Sequence, residues 1–218
     1  MKVCTDACIM GAYVPVEGAE NILDIGTGTG LLSLMVAQRT SANIIAVEID
    51  EAASEQAKEN VSSSPFNNIS VINKDIIKFA NHSPLKKFDI ILCNPPFYQN
   101  SLKSPVKGKN ISKHDLYLSL GDLVKVVKNL LKDAGKFYVL LPPAESVIFE
   151  NLAKKAGLFS FSKLEIRNRA DKSIFRLITG FTTKEVSEIS IEELIIKEIN
   201  DKYTIDFQNL LKNYYLIF

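Results

Sequence analysis

Short apolar runs rich in Ile, Leu and Val alternate along the chain with segments of helical periodicity. The strand-like runs lie at 21–26, 43–49, 69–73, 88–94 and 136–142. The helical patterns lie at 31–39, 51–61, 116–131 and 144–156, with Gly135 and Gly157 expected to end the last two. Strands that alternate with helices predict βαβ units and a mostly parallel sheet covered on both faces.

The pattern changes after residue 158. Two strand-like runs, 159–169 and 173–181, are separated by only three residues, which leaves no room for a helix. They predict an antiparallel hairpin at the C-terminal side of the sheet. A short strand near 190 and a helix from about Phe207 follow. The expected fold is therefore an α/β domain spanning 1–218, with a mostly parallel sheet and an antiparallel C-terminal hairpin.

Composition narrows the class of protein. The chain has 218 residues, 46% of them hydrophobic and 23% charged, which suits one domain with a substantial core. The formal charge of +1 indicates no global field for nucleic acid, so any such site must be a local patch. No apolar run reaches the roughly 18 residues of a membrane span. The N-terminus lacks a secretory signal pattern, and three cysteines leave one unpaired, so a cytoplasmic protein is expected.

A glycine-rich turn follows the first strand. Asp24 is followed by glycines at positions 26, 28 and 30, where small residues let a ligand approach the backbone. Leu31 holds the slot in which the dinucleotide fingerprint requires glycine, and this argues against a nicotinamide cofactor. A tight turn without a ligand is the alternative interpretation.

Acidic residues end the next two strands. Glu48 lies twenty positions after Gly28, where an acid can accept both hydroxyls of a ribose. Asp75 could accept from an adenine amino group, with Ile76 against the ring. The alternatives are a solvated glutamate and a helix N-cap, respectively.

The sequence Asn94-Pro95-Pro96-Phe97 ends the fourth strand and is the most specific signal in the chain. Two prolines fix a rigid, extended exit from the strand. The Asn94 side chain and the Pro95 backbone each offer a carbonyl oxygen, and Phe97 offers an aromatic face. This set suits a planar amine with two N–H donors. The alternative is a stiff loop beside a core phenylalanine. All of these sites lie at carboxyl ends of parallel strands, where open α/β sheets bind ligands.

With these motifs the sequence resembles the class I S-adenosylmethionine-dependent methyltransferases. DIGTGTG is similar to their first motif, VEID to the ribose-binding acid, KDI to the adenine contact and NPPF to the amino-methylating motif. More finely, KVCTDACIMGAY, ILDIGTGTGLLSLMVAQR, QAKENVSSSPF, NPPFYQNSLKSP and LLKNYYLIF resemble the bacterial tRNA1(Val) (adenine-N6)-methyltransferases. That family usually carries a short additional segment before the position of Met1, so this chain is expected to lack it.

The resemblance implies a Rossmann-like fold with seven strands and methyl transfer from S-adenosylmethionine to N6 of the adenine 3′ of the anticodon in a valine tRNA. The residues expected to line the cofactor are Thr5, Asp6, Asp24, Gly26, Gly28, Glu48, Asp75, Ile76 and Asn94. The catalytic residues expected from motif and chemistry together are Asn94, Pro95, Pro96 and Phe97, with Tyr98 as the alternative stacking ring.

Basic residues indicate where RNA would bind. They fall in one loop and in the hairpin, and those assigned to RNA are Lys103, Lys107, Lys109, Lys113, Arg167 and Arg169. An ordinary solvated loop is the alternative. Cys4 and Cys8 are spaced i, i+4, but the chain has only two histidines, so no metal is expected. A monomer is expected.

Two further functions stay open at this point. One is methyl transfer to another planar amine, such as N2 of a ribosomal RNA guanine, N5 of a protein glutamine or a DNA adenine. The glutamine and DNA enzymes usually carry an additional domain or region for which the chain has little room. The other is a module that binds S-adenosylmethionine without catalysis, which cofactor titration followed by a transfer assay would distinguish.

Overall fold

The computed structural model describes residues 4–83, 87–95 and 118–218. Its strands are β1 (Asn21–Ile25), β2 (Asn43–Glu48), β3 (Ile69–Asn73), β4 (Phe88–Cys93), β5 (Leu131–Leu141), β6 (Phe159–Arg169), β7 (Ile174–Thr182) and β8 (Ser190–Lys197). The helices are α1 (Thr5–Tyr13), α2 (Leu31–Ala37), α3 (Glu51–Ser62), α4 (Ile76–Asn81), α5 (Leu120–Leu130), α6 (Pro143–Lys155) and α7 (Ile205–Leu211). Within these ranges, no helix has the length and apolar character needed to cross a membrane.

All of these strands form one sheet in the order β3-β2-β1-β4-β5-β7-β6-β8. The pairs from β3 through β5 are parallel, and β7 lies antiparallel between β5 and β6. The expected mostly parallel sheet with an antiparallel hairpin is therefore confirmed. The strand expected near residue 190 is β8, which pairs parallel to β6 and adds an eighth strand at the edge of the seven-stranded arrangement.

The core has two layers, one on each face of the sheet. Side chains alternate between the faces along each strand, so Ile22 packs with α1, α2 and α7 while its neighbour Leu23 packs with α4, α5 and α6. The same alternation places Asp24, Glu48 and Asn94 on the face that carries α1. Asp24 is next to last in β1, Glu48 ends β2 and Asn94 directly follows β4, so all three lie at the carboxyl edge of the sheet.

The expected helix 116–131 needs correction. Within the described residues α5 begins at Leu120, where the Ser119 hydroxyl accepts from the Asp122 N–H at 3.0 Å, and ends at Leu130. Gly135 does not end it. Leu131 already pairs with Phe88, the chain then bulges, and Ile90 pairs with Lys136, so Gly135 lies inside β5. A Cβ at Gly135 would lie 2.7 Å from Leu131 Cδ1, and the close approach explains the glycine.

Candidate active site

The glycine-rich turn connects β1 to α2 at the carboxyl edge. Gly26, Gly28 and Gly30 have φ values of 70°, 59° and 84°, a region that favours glycine. The Gly26 and Thr27 N–H groups donate to the Val47 carbonyl at 2.8 and 3.2 Å. The turn is thereby fixed against the end of β2.

Asp24 is fully buried beneath this turn. Its Oδ2 accepts from the Thr27 hydroxyl at 2.6 Å and from the Ser33 hydroxyl at 2.8 Å. Its Oδ1 is buried without a hydrogen-bond partner among the described residues. Burial raises the pKa of the Asp24 carboxyl, although the two hydroxyl donors oppose the shift. The unpartnered oxygen makes Asp24 a strong acceptor for a donor or cation brought into the site.

Glu48 ends β2 with its carboxylate turned toward the glycines. Oε2 accepts from the Gly28 N–H at 2.8 Å and Oε1 from the Asp50 N–H at 2.9 Å. Each oxygen has a second lone pair, so a ribose diol can still be accepted. The assignment of Glu48 to the ribose remains a prediction. The sequence gives no sign of the hydrogen bond from the Gly28 N–H to Glu48, which anchors the glycine turn.

Asp75 and Ile76 lie where β3 passes into α4. The Asp75 carboxylate accepts from the Lys78 N–H at 2.8 Å, which realises the N-cap alternative. Ile76 is buried in the core layer of α4 to α6. Their assignment to the adenine ring remains a prediction.

Asn94 and Pro95 follow β4 directly. Asn94 is half-buried, and its Oδ1 has no hydrogen-bond partner within the described part of the chain. The neighbouring Cys93 is fully buried, and burial, with the nearby Asp24 and Glu48 charges, raises the pKa of its thiol far above neutrality. Cys93 therefore packs as a neutral thiol. Pro96 and Phe97, the other expected catalytic residues, lie outside the described residues.

Thr5 and Asp6 begin α1, a helix that the sequence patterns did not predict. Asp6 is 7% exposed, and its Oδ2 accepts from Arg176 Nε of β7 at 2.9 Å. This ion pair joins α1 to the antiparallel part of the sheet. Arg176 lies in the predicted hairpin, and in the structure it positions an expected cofactor residue.

The basic residues assigned to RNA fall in two regions. Lys103, Lys107, Lys109 and Lys113 lie outside the described residues. In the hairpin, Arg167 pairs with Glu193 at 2.6 Å and Arg169 with Asp171 at 3.1 Å. Surface ion pairs of this kind contribute about 0–1 kcal/mol, so a phosphate group could displace the acids. The assignment of both arginines to RNA remains a prediction, and within the described residues each of them has an acidic partner.

The site has the hydrogen-bond acceptors that S-adenosylmethionine, the cofactor implied by the resemblance, would require. The unpartnered oxygens of Asp24 and Asn94 lie on the same sheet face as the Glu48 carboxylate. Buried carboxylates suit a ligand with cationic sulfonium and ammonium groups, because each is stabilised by opposite charge in a low dielectric. The residues present therefore fit this group.

Comparison with protein families gives a match over most of the chain. The model described as "Methyltransferase domain" matches residues 17–195. A protein of Dyadobacter fermentans named tRNA1(Val) (adenine(37)-N6)-methyltransferase is 46% identical, with 100% of this chain and 92% of the relative covered. A Bacteroides fragilis protein of the same name is 38% identical, with 99% of this chain and 91% of the relative covered.

Solved structures share the fold at low sequence identity. A protein of Agrobacterium tumefaciens, described as a predicted O-methyltransferase, superposes with a TM-score of 0.73 at 18% identity and covers 95% of this chain and 96% of its own. A ribosomal protein L11 methylase of Lactobacillus delbrueckii gives 0.60 at 15% identity, covering 82% and 77%. These similarities confirm the fold class.

Proposed function

Because this chain belongs to the family of tRNA1(Val) (adenine(37)-N6)-methyltransferases, we propose that it transfers a methyl group to N6 of adenine 37 in the anticodon loop of that tRNA. The observation that carries the proposal is the buried, unpartnered Asn94 Oδ1 at the end of β4. A buried acceptor without a partner costs about 1–3 kcal/mol, and an incoming amino group would relieve that cost.

Asn94 and Pro95 orient the amino group of the adenine. The Asn94 side-chain oxygen and the Pro95 carbonyl accept its two N–H donors, which directs the nitrogen lone pair away from both carbonyls. Phe97, or Tyr98 if the loop turns differently, stacks on the base, and the rigid Pro95–Pro96 exit keeps the acceptors in place. The contribution of these residues is orientation and charge stabilisation, so no general base is needed before transfer.

S-adenosylmethionine supplies the methyl group on an activated sulfonium when it is bound. Glu48 is assigned to the ribose hydroxyls, and Asp75 with Ile76 to the adenine of the cofactor. Asp24, Gly26, Gly28 and the start of α1 are assigned to its methionine part. The glycine turn, held by the bond from Gly28 to Glu48, leaves the backbone open to close approach.

We also propose that the chain works in the cytoplasm, as a monomer and without a metal ion. An activated sulfonium donor needs no Lewis acid for the transfer. Cys4, Cys8 and Cys93 are free thiols, which suits a reducing compartment.

The test is nucleoside analysis by mass spectrometry after the purified chain reacts with an unmodified tRNA1(Val) transcript and S-adenosylmethionine. We expect N6-methyladenosine, mapped to position 37. A transcript with guanine at that position is the matched control and should accept no methyl group. Methylation of a guanine or of the protein, or cofactor binding with no transfer to RNA, would contradict the proposal.

A further inference from the structure

A cavity of about 400 Å³ opens at the carboxyl edge of the sheet, beyond the antiparallel hairpin. Its lining comes from α1, β6, β7, β8 and the segment before α7, and comprises Thr5, Asp6, Asn168, Phe175, Ile196, Lys197 and Tyr203. We propose that this cavity, here called the hairpin pocket, binds a nucleotide of the anticodon loop a few positions away from the methylated adenine. The inference rests on the proposed function and names a substrate contact that the catalytic motif does not include.

The position of the pocket suits an RNA strand that extends along the edge of the sheet from Asn94. Asn168 is near the end of β6, Lys197 ends β8, and Phe175 is near the start of the antiparallel β7, so all three lie at the same edge as Asn94. In the strand order, β7 is two positions from β4 and β8 is four positions from it. With about 4.8 Å between neighbouring strands, the pocket lies roughly 10–20 Å from Asn94, a span that a few nucleotides of single strand can cover.

The chemistry of the pocket suits a base and its phosphate. Two aromatic rings each have a cation beside them: the Arg176 guanidinium carbon lies 5.7 Å from the Phe175 ring centroid, and Lys197 Nζ lies 5.6 Å from the Tyr203 centroid. Proteins that bind single-stranded nucleic acids combine aromatic faces with adjacent cations. Because the Tyr203 ring is already stacked on Phe207, with 5.0 Å between centroids, Phe175 is the ring on which a base would stack. The exposed Asn168 carboxamide can donate to and accept from a base edge.

Charge favours the hairpin pocket over the other cavity on this side of the molecule. The Asp6 carboxylate is balanced by Arg176, and the Lys197 ammonium has no ion pair within the described ranges, so the local balance is positive. The second cavity, of about 380 Å³, is lined by Glu192, Glu193 and Asp206 and would repel phosphate. Of the two cavities, only the hairpin pocket offers an RNA strand a favourable field.

The experiment pairs protein variants with changes in the RNA. Anticodon stem-loop oligonucleotides, each with a single abasic nucleotide, are compared as methyl acceptors for the wild type, Phe175→Leu and Phe175→Tyr. We expect Phe175→Leu to raise KM for the intact stem-loop about tenfold with little change in kcat, because stacking on one aromatic ring is lost. Phe175→Tyr should restore KM. At one abasic position the wild type and Phe175→Leu should have the same KM, because the base that would stack on Phe175 is missing there.

Further variants keep the result interpretable. Lys197→Ala should weaken stem-loop binding measured by fluorescence anisotropy and lower its salt slope by about one. Lys212→Ala, which replaces an exposed lysine that follows α7 and does not line the pocket, should change neither the affinity nor the salt slope. The anisotropy comparison stands even if the wild type methylates no RNA, in which case the proposed function fails while the pocket is still tested.

Two outcomes would overturn the inference. In the first, no abasic position couples to Phe175→Leu and Lys197→Ala binds the stem-loop like the wild type. In the second, the variants weaken S-adenosylmethionine binding in calorimetry and leave RNA affinity unchanged, which would assign the pocket to the cofactor. If Phe175→Leu is unfolded at the assay temperature, Asn168→Ala replaces it, since that side chain is exposed.

Discussion

Replacing Asn94 by alanine should separate catalysis from folding. The Asn94 Oδ1 is buried without a partner among the described residues, so it costs the folded protein about 1–3 kcal/mol before substrate binds. Alanine removes that cost together with a few packing contacts, so the Tm should stay near or above the wild-type value. Turnover should behave differently. Loss of one oriented acceptor at a reacting amine typically costs about 100- to 1,000-fold in kcat.

The assay is single-turnover formation of N6-methyladenosine in unmodified tRNA1(Val), with S-adenosylmethionine affinity measured separately by calorimetry. We expect kcat to fall at least about 100-fold while the cofactor Kd changes little. Asn151→Ala is the matched control, because Asn151 is exposed on α6 and its side chain donates within that helix, to the Val147 carbonyl at 3.0 Å. An Asn94→Ala enzyme with a near wild-type rate, or one that loses cofactor binding in proportion to its rate, would refute the reasoning.

Three further predictions concern the cofactor site and the RNA surface. Glu48→Gln should weaken S-adenosylmethionine binding about tenfold in calorimetry, since a charged acceptor for the ribose is lost; unchanged affinity would contradict its role. Asp24→Asn should raise the Tm at neutral and higher pH. Burial raises the pKa of Asp24 in the folded state, so the wild type loses stability as pH rises from the usual 3.8 through that raised pKa. The difference in Tm between Asp24→Asn and the wild type should therefore vanish as pH falls to 3.8, and a difference in Tm that does not depend on pH would contradict this account. Arg167→Glu with Arg169→Glu should weaken tRNA binding and reduce its salt slope by about two, and an unchanged slope would remove both residues from the RNA surface.

Much of the fold could be predicted because its strands are dense apolar runs and its longer helices carry clear helical patterns. The strand β6 at Phe159–Arg169 and the start of α3 at Glu51 agree with the sequence analysis, and the expected family and fold class are confirmed. The helix α1 was missed because its residues from Asp6 to Gly11 are all buried. A helix buried on all sides shows no polar face and therefore no periodicity to detect.

The candidate site was less predictable than the fold, because its contacts join distant parts of the chain. The motifs located Asp24, Glu48 and Asn94 at one edge, and the structure places them there on one face. Local spacing carried no signal for the ion pair between Asp6 and Arg176, which are 170 positions apart. The N-cap role of Asp75 was foreseen as an alternative, since it depends only on the next three residues.

The contacts of α1 have a consequence for synthesis on the ribosome. Asp6 meets Arg176, Tyr13 donates to Glu192 at 3.0 Å, and Tyr214 donates to the Met35 carbonyl of the adjacent α2 at 3.2 Å. Arg39, made soon after α2, already donates to the carbonyls of Gly11 and Val14 at 2.7 and 2.8 Å, whereas the partners of Asp6 and Tyr13 come from strands that are made much later. A nascent chain stalled before β7 would hold the glycine turn and the end of β4 but lack the anchor of Asp6. Affinity for the methyl donor should consequently arise late in translation.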